Sequence, residues 1–501
     1  MIEKRSGFRT KLDSFISALS AKVTPFFYSD VYLALLAVFV YVSWVTNQPV
    51  IGLLAISLFG TVALLATPDL APTMPLLIMA CCIFATDNIA SYLIYITALI
   101  PLILAVVFHL IYYPPVLTLG KMFLPQVAIS VALLVAGCTS IDSESYSATL
   151  GYVLLLGVLI LVVYVVYGSY YRKNVHIKNS TYFAKTMLYF GLLMCLQIVT
   201  YYIRNGIGID NLNQGWINLG WGIDNNVATL LLITAPMCFY LSFAEGKKQS
   251  DDFKKKFGWL YCVAGLIQYA TIVLTFSRGG IVFAVLTALF VLGFTIAKSK
   301  NKLNCIIPLC IAIVGVLAFY GVFFDKINGY VKDMFANIVS GDSLAGWANR
   351  DKLYLEACEC FRNHPLFGAG IGYRGDNFEI SAVGFYWFHS TFFQVIGSMG
   401  LVGLAAYAYF YAVRYKIIGA KVKKNAFSLF ALIALIGFEL YSMIDTGTFI
   451  PVPIMALVML LNLIVERENT ELEGARSNEL MCEVYSRERR VISAQNGVET
   501  V

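Results

Sequence analysis

The sequence predicts an all-α polytopic membrane protein with about 12–14 transmembrane helices and one large extracytoplasmic loop. Three observations predict it. Of 501 residues, 59% are apolar, more than a water-soluble core of ordinary proportions buries. Apolar runs of roughly 20 residues recur along the chain, the length a helix needs to cross a bilayer. The basic residues collect in short segments between those runs, where they set orientation. The runs do not alternate, which excludes a transmembrane β-barrel.

Residues 1–28 set Phe8, Leu12, Phe15, Ile16, Leu19 and Val23 at helical spacing among Arg5, Arg9, Lys11 and Lys22. That is the pattern of a basic amphipathic helix lying on a membrane surface, and no secretory h-region follows it. Residues 29–324 hold spans 1–11, starting near Val31, Val50, Thr73, Tyr92, Lys121, Leu150, Phe183, Asn226, Phe257, Gly279 and Asn304. Residues 325–388 form the large extracytoplasmic loop. Spans 12–14 follow in 389–465, starting near Ser390, Ala426 and Thr448. Residues 466–501 read as a polar, loosely ordered cytoplasmic tail.

The loops agree with this order. With the N-terminus cytoplasmic, "YRKNVHIKN", "EGKKQSDDFKKK", "AKSKNKLN" and "RYKIIGAKVKKN" all fall inside. "TSIDSESYS", "RNGIGIDNLNQGWINLGWGIDNN" and "DTGT" fall outside. This is the positive-inside distribution, and it leaves both termini in the cytoplasm. The formal charge of +6 therefore implies membrane orientation and no nucleic acid. Most cysteines lie inside spans as small apolar residues, with no CxxC pair or Cys/His cluster for zinc.

One charge resists this scheme. "TFSRGGIVF" (Thr275–Phe283) places Arg278 between two runs that both belong in lipid. The chain must turn back there. Gly279 and Gly280 are expected to permit the turn, and Ser277 is a good N-cap for the next helix. Arg278 then lies at the outer interface. Either it is a snorkelling residue that marks a helix end, or it joins the helix N-terminus in binding an anion, phosphate above all.

The long loop adds to the second reading. Trp347 to Phe361 predicts a helix with Leu353, Tyr354, Ala357, Cys358 and Phe361 on one stripe. Arg350 shares that apolar face, either packing its stem there or presenting its guanidinium to a ligand. "NHPLFGAGIG" then imposes a turn, with His364 a surface residue of it. His389 opens the twelfth span beside Trp387, as an interfacial anchor or as a group that gives and takes a proton. Asp325, Asp333, Asp342, Asp376 and Glu379 are scattered, and none forms a hydrolase-like pair.

"WGIDNNVATLLLITAP" (Trp221–Pro236), "SRGG", "NR…NHPLFGAGIG" and "HSTFFQVIGSMGLVGL", in this order, resemble the O-antigen ligase / O-antigen polymerase superfamily of WaaL-type and Wzy-type membrane glycosyltransferases, over roughly Ile203–Ile464. The resemblance implies transfer of a glycan from undecaprenyl-pyrophosphate to a hydroxyl acceptor, a lipid core or growing polysaccharide, on the outer face of the cytoplasmic membrane. It implies no cofactor and no metal. It makes His389 the catalytic residue and Arg278 and Arg350 the pyrophosphate-binding pair, with Ser277, Gly279, Arg204 and Arg374 as supporting residues. The sequence departs from the family in having Ser390 where Asn often follows the histidine, and in a span count above the usual twelve. Ligase and polymerase share this donor, so both stay open. A different class, a polysaccharide or lipid-carrier flippase, would use ionisable or polar groups within the membrane, and Glu439, Gln197, Gln268 and Gln394 are its candidates.

Overall fold

The computed structural model describes residues 2–86, 95, 97–139, 146–172, 176–208, 217–245, 252–299, 302–322, 324, 328–329, 344–375, 386–445, 447, 449 and 455–472. Among them there is no sheet, only one antiparallel bridge between Asn218 and Ile223. Helix α1 (Ile2–Phe27) turns by 73° between Lys11–Phe27 and α2 (Asp30–Thr46). Ser29 caps α2 by accepting from the Tyr32 N–H, and Asn47 closes it in the left-handed conformation. Then come α3 (Pro49–Ala66), α4 (Ala71–Ile83), α5 (Ile100–Tyr112), α6 (Phe123–Cys138) and α7 (Thr149–Ser169). After α8 (Asn179–Arg204), α9 (Asp224–Glu245) and α10 (Asp252–Leu274) come α11 (Arg278–Lys298) and α12 (Leu303–Val322). The more polar helix α13 (Leu344–Asn363) precedes α14 (Thr391–Gly419), α15 (Ala426–Ser442) and α16 (455–472).

Seven of these helices are long and apolar enough to cross a membrane, or eight if the bent pair at the N-terminus counts as one span. The protein is a multi-pass membrane protein. The sequence counts more spans because five further apolar helices, α4, α5, α6, α10 and α15, are present but run only 10–17 residues by the same criterion. Helix α9 is the axis, with every side chain from Asn226 to Phe243 buried, as expected for a helix apolar on all sides. Around it α2, α4, α8, α10 and α15 share one core, including Leu36, Ile78, Phe190, Ile272 and Phe438. Helices α6, α7, α14 and one face of α16 share a second, including Leu133, Tyr164, Val395 and Leu463. Exposed Val285, Leu289 and Phe290 on α11, with Ile311 and Val314 on α12, form an apolar exterior suited to lipid.

Two sequence boundaries shift. The tail does not begin at Glu466, because α16 continues to residue 472. Glu468 accepts from Lys178 Nζ at 3.0 Å and from the Ser180 N–H at 3.1 Å, and Tyr164 donates to Glu466 at 2.7 Å. Paired this way, polar residues are buried that composition alone assigns to solvent. Likewise "RYKIIG" is not loop. Arg414 is buried within α14.

Candidate functional site

The reversal before α11 is made differently from the sequence expectation. Phe276, at φ +54°, takes the left-handed turn, and neither Gly279 nor Gly280 has positive φ. The glycines lie inside the first turn of α11, where a Cβ would meet Tyr441 at 2.8 Å and Ala228 at 2.9 Å respectively. Their smallness lets α11 start flush against α15 and α9. Ser277 is the N-cap, its Oγ accepting from the Gly280 N–H at 3.3 Å. The Ser277 and Tyr441 hydroxyl oxygens lie 2.5 Å apart. Tyr441 also donates to Asn225 Oδ1 at 3.0 Å, tying the ends of α9, α11 and α15 together.

Helix α13 is held by backbone. Leu353, Ala357 and Cys360 are its buried stripe, so Cys360 occupies the place expected for Cys358, which is exposed. After α13 the loop 364–371 inserts into α14 where that helix breaks at Gly400 (φ 59°, ψ −148°). The Ala369 and Gly370 N–H groups donate to the Gly397 and Ser398 carbonyls at 2.8 and 3.1 Å. The Leu401 and Val402 N–H groups donate to the Pro365 and Leu366 carbonyls at 2.8 and 3.1 Å. Backbone groups freed by the break are thereby satisfied. Glycine is required at Gly400 and Gly368, where φ is positive and a Cβ would lie 2.6 and 2.4 Å from backbone.

This splice carries Arg350 and His389 to one carboxylate. Arg350 donates to Asp445 Oδ2 at 3.0 Å and to the Ile444 carbonyl at 2.7 Å. His389 Nδ1 lies 3.3 Å from Asp445 Oδ1. A carboxylate only accepts, so Nδ1 carries a proton, and in the neutral ring Nε2 keeps the lone pair. The Asp445 side chain is 7% exposed, against 24% for Arg350 and 22% for His389. The carboxylate is thus the buried base of a cluster whose cationic and imidazole groups reach solvent.

His389 is strained. Its φ of +51° is a conformation that costs a non-glycine residue about 1–3 kcal/mol and persists where the surroundings over-determine it. Here Gln394, fully buried, accepts from the Phe388 N–H at 3.0 Å and donates to the Tyr386 carbonyl at 3.2 Å. Tyr354 donates to the His389 carbonyl at 3.3 Å and stacks on Phe393 at 4.2 Å. Burial pushes the Tyr354 phenol above its ordinary value, with Arg350 opposing, so it stays a donor.

Of the residues expected in the site, Arg350 and His389 meet through Asp445. Arg278 is exposed on the first turn of α11, next to Gly279, which packs on Tyr441 and Ile444. Among the described residues it has no hydrogen bond or ion pair. Arg204 stands elsewhere, over the Trp44 ring at 5.8 Å and bonded to the Val45 carbonyl. Arg374 is half-exposed beside Tyr373, which donates to Glu356 at 3.0 Å. His364 is exposed, as expected of a turn residue. Asp325, Asp333, Asp342, Asp376 and Glu379 lie outside the described residues. Asp445 was not singled out by the sequence. Its one signal is an acid in "DTGT" at the end of a span.

The groups a transport pathway would use are committed internally. Gln197 bonds Cys82 and Trp221. Gln268 bonds Thr234, and Glu439 pairs with Arg414. Among the described residues no three His, Cys, Asp or Glu side chains gather as a metal site.

Residues 263–408 match the Wzy_C family model, described as O-antigen ligase. The match takes in Arg278, Arg350 and His389 and ends before Asp445. No curated protein matches the chain.

Proposed function

We infer, from an O-antigen ligase family domain over residues 263–408 and the cluster built on it, that this multi-pass membrane protein transfers a glycan from undecaprenyl-pyrophosphate to a hydroxyl acceptor. The acceptor is a lipid core or a growing polysaccharide. The reaction takes place on the outer face of the cytoplasmic membrane, with both termini inside. One observation carries the reading: a single buried carboxylate, Asp445, holds both His389 and Arg350.

The chemistry follows from that sharing. Asp445 fixes the tautomer and orientation of His389. The free Nε2 takes the proton of the acceptor hydroxyl as its oxygen attacks the anomeric carbon. The C–O bond to pyrophosphate breaks, and its electron pair leaves on the pyrophosphate oxygen. Arg350, Arg278 and the N–H groups at the start of α11 stabilise that charge. Direct attack inverts the anomeric carbon. Arg350, the more exposed partner, turns from Asp445 to the pyrophosphate, and Asp445 keeps the His389 Nδ1–H.

The test is transfer by purified protein, with lipid-pyrophosphate glycan and acceptor in the presence of chelator. The wild type should transfer. His389→Gln keeps a hydrogen bond but takes up no proton, and should lose about 10²–10⁴-fold in rate. A His389→Gln protein with most of the wild-type rate would remove the histidine as base.

A further inference from the structure

Arg414 on α14 and Glu439 on α15 form an ion pair inside the bundle, at 2.5 Å between Nη2 and Oε1. Arg414 is 2% and Glu439 8% exposed. The guanidinium lies 5.1, 4.8 and 5.0 Å from the Phe410, Tyr411 and Tyr415 ring centres, all on its own helix, so the arm is held before it meets its partner. The pair is poorly satisfied for its depth. Arg414 Nε and the Tyr407 hydroxyl are buried without hydrogen-bond partners among the described residues. A buried pair of this kind is often no more stabilising than apolar residues of the same volume. Its function is better sought in the arrangement it selects.

That arrangement is a bend. Arg414 lies nearly seven helical turns beyond Ser390, about 36 Å along a straight helix. Glu439 lies on α15 and Asp445 three residues past its end, only six residues on and about 9 Å away if the last turns keep the helical rise. Side-chain reach at both ends does not span the difference. The contacts His389–Asp445 and Arg414–Glu439 coexist because α14 bends at Gly400. The loop splice holds the short limb, which carries His389. The ion pair holds the long limb to α15, whose C-terminal end leads into Asp445.

We propose that Arg414 and Glu439 are positioning residues, an intramembrane latch that fixes the bend of α14 and so sets His389 against Asp445. The claim that this positioning serves transfer rests on the proposed function. The claim about geometry does not.

The test separates the two. The contact between Thr391, at the start of α14, and Gly447, beyond α15, reports the register: a Cβ on Gly447 would lie 3.3 Å from the Thr391 Cβ, close to disulfide geometry. Thr391→Cys with Gly447→Cys is oxidised with copper phenanthroline in the full-length protein, and the 391–447 disulfide is followed by mass spectrometry. It is compared with the same pair carrying Arg414→Met and Glu439→Leu together. Thermal stability is measured on both backgrounds, and kcat and acceptor KM on the cysteine-free-site proteins. The latch predicts crosslinking at least about fivefold slower, kcat at least about tenfold lower, acceptor KM little changed, and unfolding temperature not lowered. If Met/Leu does not fold, Arg414→Gln with Glu439→Gln is read by the same criteria. Unchanged crosslinking overturns the latch. Slower crosslinking, in a protein whose transfer proves independent of His389, overturns the proposed function and leaves the latch standing.

Discussion

Asp445 receives His389 on Oδ1 and Arg350 on Oδ2, so an imidazole and a guanidinium are joined by one side chain. Asp445→Asn separates its roles. The amide oxygen can still accept from Nδ1–H, but the charge that supports the imidazolium is gone, and an amide nitrogen facing the ring favours the wrong tautomer. Transfer should fall about 10²–10⁴-fold. Donor affinity should not weaken, because Arg350 loses a competitor for the pyrophosphate. Single-turnover transfer together with a donor titration checks this. A variant that loses donor binding and keeps its rate on bound donor would place Asp445 in the donor site instead.

Arg278 has the opposite profile. Its side chain is exposed, with no hydrogen bond or ion pair among the described residues, so Arg278→Ala should leave thermal stability unchanged. It should weaken donor binding about tenfold or more, the loss of a charged contact at a partly desolvated site. Arg278→Lys keeps the charge and loses the two-pronged geometry, and should recover only part of that affinity. Normal transfer by Arg278→Ala would make this arginine a snorkelling helix-end marker.

Much of this architecture was legible because it is local. Apolar runs mark the helices, and Ser277 announces the start of α11. The spacing of Arg350 from Leu353 and Ala357 puts it on the buried stripe of α13. Contacts across the chain were not legible. Asp445 has no sequence relation to Arg350 or His389 and is brought to them only by packing. Glu466 and Glu468 looked like a solvated tail because their partners, Tyr164 and Lys178, are hundreds of residues away. Arg414 looked like the start of a cytoplasmic loop for the same reason. The pairing of Phe276 with the turn, and of the glycines with packing, reverses a local rule, since glycine here makes room for Tyr441.

Glycine is needed for two different reasons along the site, and substitution tells them apart. Gly400→Ala places a side chain at φ 59°, ψ −148°, a region almost confined to glycine, and 2.6 Å from the Pro365 carbonyl. It should destabilise by at least about 2 kcal/mol and abolish transfer with the loop splice. Gly293→Ala, in the interior of α11 with nothing within 4 Å of the new Cβ, should stabilise by up to about 1 kcal/mol through helix propensity. Protease resistance of the two proteins in the same detergent checks the sign. Equal behaviour would mean that the break at Gly400 is not imposed by the splice.

The last prediction concerns pH and lies away from the site. Asp69, between α3 and α4, accepts from the Tyr28 hydroxyl at 2.6 Å and from the Ala71 N–H at 2.9 Å. Burial nevertheless raises its carboxyl above the ordinary 3.8, the two hydrogen bonds opposing. A carboxyl whose folded pKa is raised binds its proton more tightly folded than unfolded. Its ionised form therefore destabilises the protein above the raised value. That penalty is relieved as pH falls through the raised value toward 3.8. Asp69→Asn retains an oxygen that can accept both bonds and removes the charge. The variant should unfold at a higher temperature than the wild type near pH 7.5, and the gap should narrow as pH falls toward 4.5. Thermal unfolding of both proteins across that range is the measurement. A gap that widens toward acid would mean that the hydrogen bonds to the carboxylate outweigh its burial.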